Sequence, residues 1–233
     1  MEQSIDTDFK KTYRRLIGVD EAGRGPLAGP VVAAAVSLSE TDEKNILTDL
    51  PFLTDSKKLS EKKRELIYDY VLKNKIRFGT GISDEAVIDK YNILNATNMA
   101  MNEAVDDLKV TFDMALVDGK NLKLIFPNRQ IVRGDSLSLR IALASNIAKV
   151  TRDRIMYKYA EVYPEYGFEH HKGYGTKKHI EALKQHGPLP LHRITFRPVY
   201  EFTEEGSLIV WGKEGKMDEN RILSILRKIQ NAK

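Results

Sequence analysis

The run Gly18-Val19-Asp20-Glu21-Ala22-Gly23-Arg24-Gly25-Pro26 constrains the fold more than any other stretch of this chain. The residues leading into it, Leu16, Ile17 and Val19, form an apolar segment of the kind that lies buried in a sheet. Whatever architecture the chain adopts must bury this strand and open its carboxyl end onto space for two acids and an arginine. Gly23 and Gly25 let the backbone turn there and come close to a ligand, because glycine reaches positive φ without steric cost. On a regular strand Asp20 and Glu21 face opposite sides, so a twist or a turn starting at Glu21 is expected if both are to reach one cation. Taken alone, the acid pair reads first as a strand-to-loop junction with solvated acids.

The rest of the chain alternates strand and helix patterns, which indicates an α/β domain. Strands are expected over Arg15–Asp20, Val31–Leu38, Ile76–Ile82, Met114–Asp118 and Gln130–Arg133. The first three are spaced as a meander and the later ones are separated by helices, so a mixed sheet is expected rather than a parallel one. Ser60 is placed to cap a helix reaching about Lys73. Ser83 is placed to cap another, in which Val87, Tyr91, Leu94, Met101, Val105 and Leu108 form one apolar stripe broken only by Asn98. A long helix from about Ser136 to Tyr159 keeps a thin surface of Ala142, Ala144, Ser145 and Ala148, suited to close packing on a sheet. A short helix runs from a Thr176 cap to Gln185, with Gly187 as its stop. Residues 1–198 are read as the main domain and 199–233 as an extension. The extension carries a strand over Ser207–Trp211 and a helix from Asp218 with Ile222, Leu226 and Ile229 on its apolar face, expected to pack on its own chain.

Composition narrows the chemistry. The chain has no cysteine, which excludes disulfides, thiolate nucleophiles and cysteine zinc sites together and fits a reducing, cytosolic setting. The formal charge of +4 and a pI near 9.0 tilt it toward anionic partners. No stretch approaches the ~18 apolar residues that span a bilayer, and Met1–Lys11 is polar and acidic rather than a leader, so no membrane partner is expected.

Asp118 follows the apolar strand Ala115-Leu116-Val117, and Asp135 follows Ile131-Val132-Arg133-Gly134, so three strand ends finish in acid. Ligands gather at the carboxyl ends of strands in open α/β sheets. Four carboxylates meeting there repel one another unless cations compensate. Oxygen-only ligands indicate Mg²⁺ or Mn²⁺, and two such ions about 3.5–4 Å apart would serve phosphodiester hydrolysis. Each acid also has an ordinary reading: Asp135 as a helix N-cap, Asp118 as a turn acid beside Gly119. All five histidines fall between His170 and His192 at spacings unlike helical zinc pairs, so capping, packing or phosphate contact is expected of them. Among them Lys172-Gly173-Tyr174-Gly175-Thr176 presents a tyrosine between glycines, suited to stacking on a sugar or base. Lys57 and Lys58 precede a helix carrying Lys62, Lys63 and Arg64, and Lys149 and Arg152 lie on one helix face. Such a stripe is either a solvated basic surface or a track for a nucleic-acid backbone.

Taken in order over Leu16–Val199, these motifs resemble the ribonuclease HII family: Gly-Val-Asp20-Glu21-Ala-Gly-Arg-Gly-Pro, Asp55-Ser-Lys-Lys-Leu-Ser60, Val117-Asp118-Gly119, Gly134-Asp135-Ser136, Ala144-Ser145 through Lys149 to Asp153, His171-Lys-Gly-Tyr-Gly-Thr176 and His192-Arg193. The resemblance implies a ribonuclease H-like fold, with a central mixed five-stranded sheet flanked by helices and a C-terminal helical part. It implies metal-dependent endonucleolytic cleavage of RNA paired with or joined to DNA, including a single ribonucleotide in duplex DNA, leaving 3′-hydroxyl and 5′-phosphate ends. Asp20, Glu21, Asp118 and Asp135 are then the metal-binding acids. Gly23, Arg24 and Gly25 read the ribose hydroxyl and junction phosphate, Tyr174 supports that ribose, and Lys57, Lys58, Ser145 and Lys149 are further substrate contacts. One chain carries the full set, so a monomer suffices, and no convincing sliding-clamp peptide is visible. A binding protein for RNA-DNA hybrids that has lost catalysis is the alternative, and retention of all four acids argues against it. Asn146 and Leu137 depart from the family's usual residue types without touching the acids.

Overall fold

Leu16 through Asp20 are buried without a break, a pattern that requires cover on both faces and so places their strand in the middle of a sheet. This is β1 (Leu16–Ala22), and β2 (Val31–Ser37), β3 (Arg77–Ser83), β4 (Met114–Asp118) and β5 (Asn128–Ile131) complete the five-stranded order β3-β2-β1-β4-β5. β1 runs antiparallel to β2 and parallel to β4, and β4 runs parallel to β5, so the sheet is mixed as its spacing predicts. The computed structural model describes residues 4–203, 208, 212, 215 and 217–232. Apart from Leu208, the strand expected over Ser207–Trp211 lies outside these residues.

The helices are α1 (Asp6–Lys10), α2 (Glu40–Asp49), α3 (Glu61–Lys73), α4 (Glu85–Tyr91), α5 (Ile93–Leu108), α6 (Leu139–Val162), α7 (Phe168–His171), α8 (Lys177–His186) and α9 (Glu219–Ala232). The chain divides into two compact units, one of residues 1–22, 31–82 and 97–152, the other of residues 23–30, 83–96 and 153–233.

In the first unit the sheet meets its helices at very short range. A Cβ added at Gly18 of β1 would lie 2.3 Å from the backbone carbon of Arg140, so α6 comes against a residue with no side chain at all, while Ala142, Ala144 and Ala148 of its expected thin face share a core with Ala34 and Val36 of β2. On β3, a Cβ at Gly79 would come within 2.3 Å of the Leu108 nitrogen and one at Gly81 within 2.1 Å of the Ala100 oxygen, both on α5. Beside Gly18 the fully buried Arg140 guanidinium donates to the carbonyls of Leu16 and Leu38, each at 3.1 Å, and pairs with Asp6 at 3.2 Å and with Glu43. The N-terminal segment is thereby fastened to the sheet through a charge that would otherwise be stranded.

Two expectations need correction. β1 does not turn at Glu21: Glu21 still pairs with Ala33 and Ala22 with Val32, and the chain bends only at Gly23, whose φ is +99°. Ser83 is not a cap, since Asp84 accepts the Val87 N–H at 2.8 Å. The helix expected after it is broken at Asn92, which takes φ +69° and caps the next helix by accepting the N–H groups of Leu94 and Asn95. The break rotates the buried face of α5 to Ala96, Ala100, Met101, Ala104 and Leu108 and leaves Tyr91 exposed. Ser60 and Thr176 do cap their helices, and Gly187 ends α8 at φ +72°.

The second unit has its own core, in which Leu27, Ala28, Met156, Phe168, Leu191 and Ile194 pack with Val199, Leu208, Met217 and Ile225. The C-terminal segment is thus part of this core, and Arg221 of α9 pairs with the fully buried Asp89 of α4 at 2.8 Å.

Gly18→Ala is expected to lower stability by about 1–3 kcal/mol, because neither the β1 backbone nor that of α6 can yield to the added methyl without shifting. Urea unfolding measures it; an unchanged midpoint would contradict the close approach described.

Candidate active site

The parallel pairing of β1 and β4 sets Val19 opposite Val117, so the next residues, Asp20 and Asp118, follow on neighbouring strands at one end of that pairing. Asp118 Oδ1 accepts the Gly134 N–H at 2.7 Å and so ties the end of β4 to the short 3₁₀ turn Gly134–Ser136 that carries Asp135. At Gly134 an added Cβ would sit 2.6 Å from Ile141 Cδ1, which would have to swing aside, and 3.5 Å from Asp118 Oδ1. Asp135 is not the cap of the long helix. That helix begins at Leu139, and the Ser138 hydroxyl accepts the Ile141 N–H at 3.3 Å.

These acids feel one another. Asp20 is 4% exposed, and its carboxyl is pushed well above the usual carboxylate range by burial and then by the charges of Glu21 and Asp118. Hydrogen bonds from the Ser145 side chain and the Glu21 N–H, the latter at 2.7 Å, offset part of that push. Asp118 is raised by burial despite the Gly134 N–H and Lys57. Asp135 is raised by burial and by Asp55 and Asp118. Lys57 lies among them: burial works against its charge, but Asp20, Asp55, Asp135 and Asp118 outweigh burial and hold its ammonium above the ordinary lysine value.

The arrangement is short of positive charge and offers only oxygen donors. Among the described residues no three acidic or imidazole side chains already close on one point as a finished cage. A divalent cation fits this chemistry, since it would relieve repulsion that one lysine leaves uncompensated, and Mg²⁺ and Mn²⁺ are the ions such donors favour. Asp55, quoted in the sequence only as part of a motif, is a fifth carboxylate here. It accepts the Lys57 N–H at 2.9 Å and hydrogen-bonds Asp135. Its position directly before a serine and two lysines was the available signal.

The other predicted residues of this unit fall around the acids in different ways. Ser145 is buried, with its hydroxyl 3.0 Å from that of Ser56. Lys58 reaches the Ser136 hydroxyl at 3.4 Å. Lys149 is half-buried on α6, whereas Arg152 is 1% exposed and therefore forms no part of a solvent-facing basic stripe.

In the second unit Gly23 is buried while Arg24 and Gly25 are exposed. Tyr174 is 42% exposed, and a Cβ at Gly25 would lie 3.6 Å from its ring, so tyrosine and loop share one surface. The turn before Tyr174 needs glycine at 173, where φ is +84° and a Cβ would stand 2.5 Å from the Ala28 oxygen.

Three buried histidines hold this turn from below. The Leu189 N–H donates to His192 Nδ1 at 2.8 Å, so His192 Nε2 must carry the proton it shares with His179 Nε2 at 3.1 Å; His179 Nδ1–H then donates to the Tyr174 carbonyl at 3.0 Å. His171 stacks on His179 with centroids 4.5 Å apart, donates from Nε2 to the Tyr166 carbonyl and accepts the Gly173 N–H. Every ring nitrogen of the three is engaged and every ring is neutral, which assigns them to packing and backbone support. Their clustering in sequence was visible; the direction of their hydrogen bonds was not.

The sequence profile of the family described as Ribonuclease HII matches residues 17–199 of this chain. The chain is 55% identical over 192 residues to a ribonuclease HII of Bacillus subtilis, covering 82% of this chain and 73% of that one. It is similar to the crystal structure of ribonuclease H2 from Pyrococcus horikoshii, with a TM-score of 0.64 at 25% identity over 81% of this chain and 96% of the other. It shares its fold with a ribonuclease HIII crystallised with Mn²⁺, with a TM-score of 0.60 at 16% identity over 80% and 68% of the two chains.

Burial lowers His179 to about 4 and His192 to about 3, from an ordinary 6.5. The unfolded chain therefore takes up protons that the folded one refuses. Their contribution is fully present above pH 6.5 and is lost as the pH falls from 6.5 toward 3. The contribution of these two histidines at pH 5 is expected to be about 2–4 kcal/mol below that at pH 7.5, against the opposite trend of the raised carboxyls; denaturant midpoints at the two pH values, compared between the natural chain and His192→Gln, isolate the part due to His192.

Proposed function

This chain belongs to the ribonuclease HII family of endonuclease hydrolases, and from that premise we propose that it cuts the RNA strand of RNA-DNA hybrids and single ribonucleotides within duplex DNA, leaving 3′-hydroxyl and 5′-phosphate ends. The observation that carries this reading is the mutual elevation of Asp20, Asp118 and Asp135 around Lys57, a group of oxygen donors whose charge calls for cations. Asp20, Glu21, Asp118 and Asp135 would hold Mg²⁺ or Mn²⁺. When bound, such ions activate a water for in-line attack and stabilise the leaving 3′ oxygen.

The chain's own residues do the rest. Ser145 and the Glu21 N–H fix the Asp20 carboxylate in orientation, and the Gly134 N–H does the same for Asp118. Lys57 keeps its proton throughout and supplies a fixed positive charge beside the acids, where a phosphate oxygen would be attracted. The exposed loop Gly23-Arg24-Gly25 and Tyr174 recognise the ribonucleotide, the glycines by close backbone approach and the tyrosine by packing on the sugar. A deoxyribose would leave the hydroxyl-binding groups unpaired, at a cost of roughly 1–3 kcal/mol for each that is buried. Lys58 and Lys149 add salt-sensitive backbone attraction.

A DNA duplex with one internal ribonucleotide is expected to be cut with Mg²⁺ or Mn²⁺ and spared with chelator, while an all-DNA duplex is spared throughout. Residues that merely orient metal ligands are worth about 10–100-fold, so Asp135→Asn should lose more than about 100-fold in turnover while still binding the duplex. Cleavage of both duplexes, or full turnover by Asp135→Asn, would reject the reading.

A further inference from the structure

In the loop between β1 and β2, Leu27 and Ala28 pack into the core of the second unit, while the Gly23-Arg24-Gly25 end has no buried side chain of its own. Its order comes from a residue far away in sequence. Arg193 has no exposed surface, and its guanidinium donates to four carbonyls of this loop: Nε to Gly29 at 3.0 Å, Nη1 to Arg24 at 2.8 Å, and Nη2 to Gly23 at 2.5 Å and Pro30 at 3.2 Å. The main chain adds to the grip, with the Arg193 N–H on the Leu27 carbonyl at 2.8 Å and the Gly29 N–H on the Leu191 carbonyl at 3.0 Å.

Capturing the carbonyls of Gly23 and Arg24 has a stereochemical consequence. In a planar trans peptide the N–H points opposite to the C=O. With both carbonyls turned onto Arg193, the amide N–H groups of Arg24 and Gly25 point the opposite way within their peptide planes, away from Arg193, and both residues are exposed. We propose that Arg193 is a positioning residue for substrate selection, which by gripping the inner carbonyls of the Gly23–Pro30 loop aims its amide donors at the ribose and phosphate of a ribonucleotide junction. The inference rests on the reading above that this loop recognises the ribonucleotide.

Two features make the role particular to arginine at this site. The four acceptors diverge from one another, and only a planar fork of five N–H donors serves them together; an ammonium reaches the site as a single point. The segment bearing Arg193 is also anchored without it. Asp89 accepts the N–H groups of Ile194 and Thr195 at 3.2 and 3.0 Å, and Arg221 pairs with Asp89 while donating to the His192 carbonyl at 3.0 Å. Loosening the loop therefore need not unfold the segment.

The test compares the natural protein with Arg193→Lys and Arg193→Gln. Affinity for the single-ribonucleotide duplex and for its all-DNA counterpart is measured in chelator, and kcat and KM with Mn²⁺. The expected result is a ribose preference, taken as the ratio of the two dissociation constants, that falls toward 1 in both variants. Arg193→Lys should lose about 10–100-fold in kcat/KM on the ribonucleotide duplex, while the Mn²⁺-induced rise in melting temperature stays as in the natural protein. Variants that lose thermal stability or active fraction but keep the preference ratio would overturn the inference and leave Arg193 a merely structural residue. A natural protein with no ribose preference would instead overturn the reading on which the inference rests. Should neither variant melt cooperatively, hydrogen exchange on the natural protein decides. The Leu27, Gly29 and Arg193 amides must be protected to the level of β2, and exchange at an unprotected rate would overturn the proposal.

Discussion

Carboxylates gathered within electrostatic reach of one another oppose the fold that gathers them, and the first unit is arranged around that opposition. Asp20 and Asp118 are forced together by the parallel pairing of β1 and β4, and a backbone hydrogen bond from Gly134 brings in the turn that carries Asp135. Their raised proton affinities measure the strain. The protein answers with a single buried-side lysine, Lys57, and with neutral donors, which is too little to satisfy the group and leaves a standing demand for positive charge. A site of this kind trades stability for affinity toward hard cations.

The second unit solves the opposite problem. It shapes a loop and a tyrosine while adding as little charge as it can to their support. Three imidazoles in fixed tautomers carry the load under Tyr174, each kept neutral by burial, and the buried Arg193 guanidinium donates to four carbonyls of the loop. Positive charge left over beneath such a surface would attract any nucleic acid alike; neutral support leaves discrimination to the geometry of the exposed backbone.

The sequence made some of this legible and hid the rest for identifiable reasons. The strand positions and the Ser60 and Thr176 caps followed from hydrophobic pattern and turn chemistry, which act over a few residues, whereas the four acids stood at strand ends with ordinary readings of their own and were joined only by the family resemblance. The break at Asn92 was missed because a non-glycine residue in the left-handed region looks, in sequence, like any polar helix residue. The role of Asp135 was ambiguous because Gly-Asp-Ser is a common cap, and only the position of Ser138 removes that reading. Arg140 and Asp89 gave no local signal, and Arg193 and the histidines stood out only as a motif and a cluster without visible partners, since each acts on groups far off along the chain, and a buried arginine is indistinguishable in sequence from an exposed one. Asp55 lay in plain view beside Lys57 and entered only as part of a motif.

The first unit is assembled from three separate stretches of chain and is not complete before residue 152. On the ribosome β1, with Asp20 and Glu21, emerges long before β4 can pair with it or the turn bearing Asp135 exists. At ordinary elongation rates the interval is on the order of ten seconds. The nascent protein therefore lacks this group of carboxylates during most of its synthesis. Their mutual repulsion arises late, once β4 pairs with β1 and the turn bearing Asp135 has emerged.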